Sequence, residues 1–495
     1  MEPLHAPGNE MIYVLEGHGL KHAVEEMLLH LTPAELPAQG AAAPETGDYC
    51  ISRLRVVDGV AQAAAEARLD GVTRTASRTK PVAGLDALGE KRAKTEIVKL
   101  AVFDAIVPGL PEKPEWGSLT GVRPAKLARG LMARGMTRGE TARYFREQYQ
   151  VSAARTALAM RAAAHAQAAI GLLPEDEVSL YIGIPFCPSR CAYCSFVSHS
   201  IEKSAALIPP YLEALCRELA QTGRLLDERG LKLSSIYIGG GTPTTLSAGQ
   251  LARLMDCVAR TCNLSRLREY TVEAGRPDTI TAEKLAAIRA GGAGRVSINP
   301  QTMNDAVLAR IGRRHSVADV LVAYEMARAA GFPVINMDTI AGLEGDTPES
   351  FRHTMETLIG LGPDNITVHT LAIKRGADLS DKAANVRQHD SVKSMLDGAA
   401  AALGQAGYGP YYLYRQKFTA GGFENVGWCK PGAESLYNIA MMEEIQTILS
   451  VGAGGVSKRV DRATGRITRF TNPKYPREYM EAGERMDAGK RRLLL

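Results

Sequence analysis

The 495-residue chain has no apolar run approaching the roughly 18 residues of a helical membrane span, so no membrane-embedded segment is expected. Its first residues, "MEPLHAPGNE", lack both a basic start and an apolar stretch, so no secretory leader is expected and the chain reads as cytoplasmic. Strong charge of either sign is also missing. The formal charge is +5, mild for this size, where a nucleic-acid binder would usually concentrate its positive charge more strongly, though a local basic pocket could still hold a small anion. Long repeats and low-complexity tracts are absent. Hydrophobic residues make up 45% and charged residues 23%, which leaves little room for extended disorder. Cysteine is sparse, eight in all, and does not suggest a disulfide framework in a reducing compartment. Cys50, Cys216, Cys257, Cys262 and Cys429 are scattered and read as small buried hydrophobes. The other three are crowded together.

At this length about three domains are expected. Residues 1–175 read as an α+β extension of unknown role: "MIYVLEG" and "CISRLRVVDG" suggest strands, and 21–31 and 95–106 suggest helices. "VPGLPEKPEWGSLTG" reads as a long loop, followed by helices near 123–134, 138–148 and 153–170. Over 176–380 the rhythm changes. Short β-branched runs at 178–184, 234–238, 269–273, 294–298, 334–339 and 365–370 alternate with amphipathic helices, so six parallel βα units are expected. Six fall short of the eight in a closed TIM barrel, which predicts an α/β fold with a partial, open (βα)6 TIM-like barrel. Residues 381–495 read as a smaller C-terminal α+β domain closing over the rim.

In such architectures chemistry gathers at the carboxyl ends of the strands. Five polar signals fall there. "IPFCPSRCAYCSF" follows the first strand and carries Cys187, Cys191 and Cys194 in C-x3-C-x2-C spacing. "GGGTP" follows the second, Glu273 ends the third, Asn299 and Gln301 follow the fourth, and Asp338 closes the fifth. Three thiolates suit a cubane iron–sulfur cluster with one iron left open, as a metal site must be when it binds a substrate or cofactor. Structural zinc with His199 as fourth ligand is the competing reading. His315 and His369 read as structural, hydrogen-bonded histidines.

These motifs together resemble the radical S-adenosylmethionine (SAM) superfamily. "YIGIPFC", "GGGTPT", "QTMND" followed by "IGRRH", and "INMDTIAGLEGDT" resemble the oxygen-independent coproporphyrinogen III oxidase family. Within it, "GSLTGVRPAKL", "VHTLAIKRG", "PYYLYRQK" and "YNIAMMEE" are most similar to HemZ-type members. The resemblance implies a [4Fe–4S] cluster on Cys187, Cys191 and Cys194, whose open iron takes the methionine end of SAM. It further implies SAM contacts from Tyr181, Tyr193, Gly239, Gly240, Gly241, Thr242, Glu273, Gln301, Arg313 and Asp338. The implied reaction is oxidative decarboxylation of coproporphyrinogen III propionates to vinyl groups, through a 5′-deoxyadenosyl radical, with reduced flavodoxin or ferredoxin as electron donor. Carboxylate-binding cations for this tetrapyrrole would be Arg123, Lys374, Arg375, Arg415 and Lys417. No catalytic acid or base is singled out. Two positions depart from the decarboxylase pattern: Phe196 stands where a further cysteine belongs, and Gly183 where histidine belongs. Tyr437-Asn438 occupies the place of a His-Asn pair in related haem chaperones. Haem binding or trafficking, and radical chemistry on another tetrapyrrole or on RNA, are the alternative functions.

Overall fold

The computed structural model describes residues 11–32, 37–121, 123–194, 199–372, 389–416 and 422–495. The amino-terminal part runs β1 (Ile12–Glu16), α1 (Lys21–Leu31), β2 (Ala38–Gln39), β3 (Tyr49–Val57), β4 (Val60–Leu69), β5 (Val72–Pro81) and α2 (Ala87–Ile106). Its five strands form one sheet in the order β2-β1-β3-β4-β5. The long hairpins β3–β4 and β4–β5 were not expected. Each turns on an Asp-Gly pair with both residues at positive φ, Asp58-Gly59 and Asp70-Gly71, the geometry whose twist matches two antiparallel strands. Alternate alanines of β4, from Ala61 to Ala67, are buried beneath α2.

Three helices follow: α3 (Pro124–Ala133), α4 (Arg138–Glu147) and α5 (Ala153–Leu172). Thr137 and Glu140 form a reciprocal cap on α4. The next stretch holds β6 (Glu177–Ile184), β7 (Phe186–Cys187), β8 (His199–Ser200), α6 (Ile201–Ser204), α7 (Ile208–Glu228), β9 (Lys232–Gly240), α8 (Ala248–Thr261) and β10 (Glu269–Gly275). It continues through α9 (Ala282–Ala290), β11 (Arg295–Gln301), α10 (Asp305–Arg310), α11 (Val317–Ala329), β12 (Val334–Ala341), α12 (Pro348–Leu361) and β13 (Asn365–Thr370). The six expected strands β6, β9, β10, β11, β12 and β13 are neighbours in that order and all parallel.

Residues beyond 381 contribute α13 (His389–Gln405), β14 (Gly409–Arg415), β15 (Glu424–Cys429), α14 (Leu436–Glu443), β16 (Ile448–Val451), β17 (Val456–Val460), β18 (Ile467–Thr471), α15 (Pro476–Glu481) and α16 (Gly483–Leu493). This part was expected as a separate cap, yet it extends the sheet at both edges. β15 pairs antiparallel with β13 and carries β14, while β16 pairs parallel with β6 and carries β17 and β18. Eleven strands result, in an open order with ends that do not join.

The two faces differ because strand side chains alternate. Leu180, Ile182, Ile236, Ile238, Val272, Val296, Ile298, Ile335 and Met337 are buried in the apolar layer shared with the helices. The intervening residues are polar or aromatic, and α14 packs against β9 and β14. At the amino-terminal end, Glu269 accepts from Ser435 Oγ and the Leu436 amide, while Arg295 donates to the carbonyls of Ala433 and Glu434. No described helix is long and apolar enough to cross a membrane.

Candidate active site

Backbone bonds from the turn after β9 and from the end of α10 place the cysteine loop. The glycine turn after β9 wraps the end of β6: Gly241 N donates to Ile184 O at 2.8 Å and Thr242 N to Phe186 O at 2.8 Å. Thr242 Oγ1 stands 3.6 Å from Cys187 Sγ. Ala192 N bonds Ile311 O, and Cys194 N bonds Cys191 O, tying the rest of the loop to the end of α10. Side chains would not fit in the turn. A Cβ on Gly239 would lie 2.8 Å from Glu273 Oε2, one on Gly240 2.8 Å from Ile184 O, and one on Gly241 2.8 Å from Cys187 Sγ. Gly240 also has φ +116°.

Across the rim the inward residues form a polar chain. Asn299 Nδ2 reaches Glu273 Oε1 at 3.3 Å, Ser297 Oγ bonds Asn299 Oδ1 at 2.7 Å, and Asn336 Nδ2 bonds both Ser297 Oγ (2.7 Å) and Asp338 Oδ1 (2.8 Å). Asp338 stands 3.9 Å from His369 Nε2, whose Nδ1 is 3.4 Å from Tyr414 Oη. The two acids differ in character. Burial, then the nearby Asp338 charge, pushes Glu273 up to about 8. Burial would raise Asp338 too, but hydrogen bonding and the charge of His369 hold it below the usual range.

Arg313 donates to Tyr193 Oη at 2.9 Å and to Asn299 O at 3.2 Å, while its buried Nε has no partner among the described residues. Gln301 sits at φ +72° with Oε1 buried and unpartnered. A non-glycine residue in that region with a buried acceptor unpaired among the described residues is suited to receive a ligand's donor. Tyr193 itself packs against the apolar cluster formed by α10 and the ends of β12 and β13.

Tyr181, expected beside cluster and adenine, is partly buried in a stack of tyrosines. Its ring stacks on Tyr237 and Tyr437 at 6.2 and 6.5 Å, and Tyr237 and Tyr437 stack at 4.7 Å. Two expected carboxylate-binding cations point elsewhere. Arg123 donates to Met442 O at 2.6 Å and pairs with Glu444, just before β16 and hence at the opposite rim. Arg415 is buried over the Trp116 ring, donating to the carbonyls of Leu119 and Gly422, where it joins the barrel to the loop that carries the amino-terminal part. Lys374, Arg375, Lys417 and Phe196 lie outside the described residues.

Sequence reasoning missed Arg276. Its Nη1 donates to Ser189 Oγ (2.8 Å) and Ser189 O (3.2 Å) and stands 3.9 Å from Cys191 Sγ. Asp278 grips it through Nε (3.0 Å) and Nη2 (2.8 Å), with His315 Nδ1 3.7 Å from that carboxylate. Burial acts against ionisation of Asp278, but the nearby His315 ring and the bonds from Arg276 hold its carboxyl well below the usual range. The signal was present in "EAGRPD", where an arginine falls three residues beyond Glu273 on the same rim.

The Radical SAM superfamily signature matches residues 181–358, from the first barrel strand into α12. The "oxygen-independent coproporphyrinogen-III oxidase-like protein HemZ" of Bacillus subtilis is 42% identical over 381 residues, 76% of either chain. The chain belongs to the HemZ family of radical SAM proteins. The heme chaperone HemW of Haemophilus influenzae is 30% identical over 61% of this chain and 76% of its own. Among solved structures, coproporphyrinogen III oxidase HemN of Escherichia coli aligns with TM-score 0.49 and 24% identity, over 66% of this chain and 73% of that one.

The HemZ-type chain therefore uses a [4Fe–4S] cluster and SAM. The residues present fit that pair: an all-thiol donor set, a glycine turn that a single Cβ would obstruct, and the orphaned Gln301 Oε1 and Arg313 Nε nearby.

Proposed function

We propose that this protein is a radical SAM oxidoreductase that decarboxylates the propionates of coproporphyrinogen III without oxygen, yielding the vinyl groups of protoporphyrinogen IX. The observation that carries the reading is the single rim on which the three cysteines, the glycine turn, Glu273, Arg313 and Asp338 converge. The name of the B. subtilis relative supplies the substrate class. When bound, the cluster and SAM supply a carbon-centred radical that removes one hydrogen atom from a propionate β-carbon. Carbon dioxide then leaves, one electron passes to an external acceptor, and a vinyl group remains.

The chain's own residues bind, orient and shield. Cys187, Cys191 and Cys194 hold the cluster, and the Gly239–Thr242 turn admits the amino-acid end of SAM beside Cys187. Asp338 and Glu273 accept from hydroxyls, and Arg313 receives a carboxylate. Tyr181, Tyr237 and Tyr437 floor the site with stacked rings and keep water from below. The segment after 381 completes this enclosure, since it supplies Tyr414 and Tyr437. Tyr437 is buried in that stack, so it offers no exposed ligand at the position of the chaperones' histidine. Reduced flavodoxin or ferredoxin serves as donor in this reading.

The test is anaerobic: reconstituted protein, SAM, dithionite and coproporphyrinogen III should give 5′-deoxyadenosine together with a product lighter by one and then two carbon dioxide units. SAM cleavage without mass loss would overturn the decarboxylase and leave a different substrate. Cys191→Ala should abolish the visible charge-transfer absorbance, and an unchanged spectrum would contradict the ligand assignment.

A further inference from the structure

We propose that Cys216 and Cys257 form a redox-active dithiol on the helical outer layer, closing to an intrachain disulfide under oxidising conditions and reopening under reducing ones. The sequence suggested two ordinary core thiols, and the fold brings them together. Cys216 lies on α7 and Cys257 on α8, two helices packed along each other. Gly223 on α7 abuts the Thr261 carbonyl at the end of α8, where any side chain would collide with backbone, so the two helices run unusually close. Cys257 Sγ stands 3.8 Å from the Cys216 carbonyl oxygen, across the contact between the two helices.

The pair is asymmetric, as a reactive dithiol needs to be. Cys216 is partly exposed and Cys257 is buried. The hydrogen bond from Cys257 is the largest influence on Cys216, and Arg253 and Arg260 add to it against burial and Asp256, bringing the Cys216 thiol down to about 7. Cys257 is pushed far up by the same hydrogen bond and by burial, so it holds its proton until Cys216 has reacted. Cys50 and Cys429 are pushed up to about 12 by burial first of all. The oxidant is a small-molecule disulfide. Cys216 thiolate attacks one of its sulfurs and releases one thiol; Cys257 then loses its proton and attacks the Cys216 sulfur, releasing the second. Two electrons pass from the protein to the small molecule. The bridge would staple the helices following the first two barrel strands, and α8 begins six residues after Thr242.

Full-length, cluster-loaded protein is equilibrated anaerobically in reduced/oxidised glutathione mixtures, alkylated and digested with trypsin. Cys216, Cys257 and Cys262 fall in separate peptides, 204–217, 254–260 and 261–266. The expected product is a crosslink of the first two whose yield falls at least about tenfold from the oxidising to the reducing end of the series. In Cys257→Ser, glutathione should instead accumulate on Cys216, while Cys50 stays unmodified in both proteins. A wild-type Cys216 recovered only as a glutathione adduct, only joined to Cys262, or unmodified throughout would overturn the proposal. So would a Cys257→Ser protein that takes up no glutathione at position 216.

Discussion

Arg276 puts a positive charge and the Nη1 donor against the loop that carries Cys191, and Asp278 fixes its direction through Nε and Nη2. Arg276→Met should lower the affinity for iron roughly 10–100-fold, as loss of an outer partner does at other metal sites. It should also move the cluster midpoint potential to more negative values, since a nearby cation favours the more negatively charged reduced state. Iron and sulfide analysis with an EPR-monitored redox titration measures both; wild-type values would show that Arg276 is only packing. Glu273 makes a second residue-scale prediction. Its folded carboxyl is raised from 4.5 to about 8, so stability from its bound proton is full below 4.5 and lost as pH rises through 8. Cluster-free Glu273→Gln should therefore be more stable than the parent by about 2–4 kcal/mol near pH 9 and similar near pH 4.5. Parallel denaturation curves at both pH values decide it. A difference that does not change with pH would place the ionised carboxylate in the folded apo protein.

Among the elements, the segment between β16 and β17 governs the end of β6. Gly452 has φ +96°, and a Cβ there would press on Gly183 O and lie 2.8 Å from Tyr211 Oη, which donates to that same carbonyl at 2.7 Å. Gly452→Ala should cost about 2–4 kcal/mol and weaken SAM binding, read by chemical denaturation and by calorimetry of the reconstituted protein. No change in either would mean that the loop yields freely. The six parallel strands were legible in the sequence because a strand covered on both sides by chain carries a short β-branched run, and each such run was followed by a helix. The Asp-Gly hairpins carried an equally local signal, but β5, with "VTRTASRTK", has too little apolar alternation to stand out. The positions of β15 and β16 beside the six strands were not legible, since a strand's neighbour is set by partners far along the chain, from Asn365 to Cys429 in one case and from Ser179 to Ile448 in the other. The same limit hid the roles of Arg123 and Arg415: a cation's sequence context does not show which distant carbonyl or carboxylate will claim it.

At the scale of the whole molecule, a buried ion pair ties the last helix to the barrel. Lys490 on α16 bonds Glu218 on α7, and Glu218 also accepts from Gly452 N (2.8 Å), Tyr479 Oη (2.5 Å) and Asn472 Nδ2 (2.8 Å). Lys490→Met leaves a carboxylate without its cation in a dry setting and should cost about 3–5 kcal/mol, measured by urea unfolding. A loss below about 1 kcal/mol would show that the neutral donors alone satisfy Glu218. The placement of β16 beside β6 has a further consequence for how the polypeptide is born. The first barrel strand ends at Ile184 and its outer neighbour begins at Ile448, so a ribosome working at roughly 5–20 residues per second leaves that edge bare for about 13–50 seconds. During that interval the nascent chain exposes an apolar, hydrogen-bond-hungry border, and chaperone demand should peak there, late in translation.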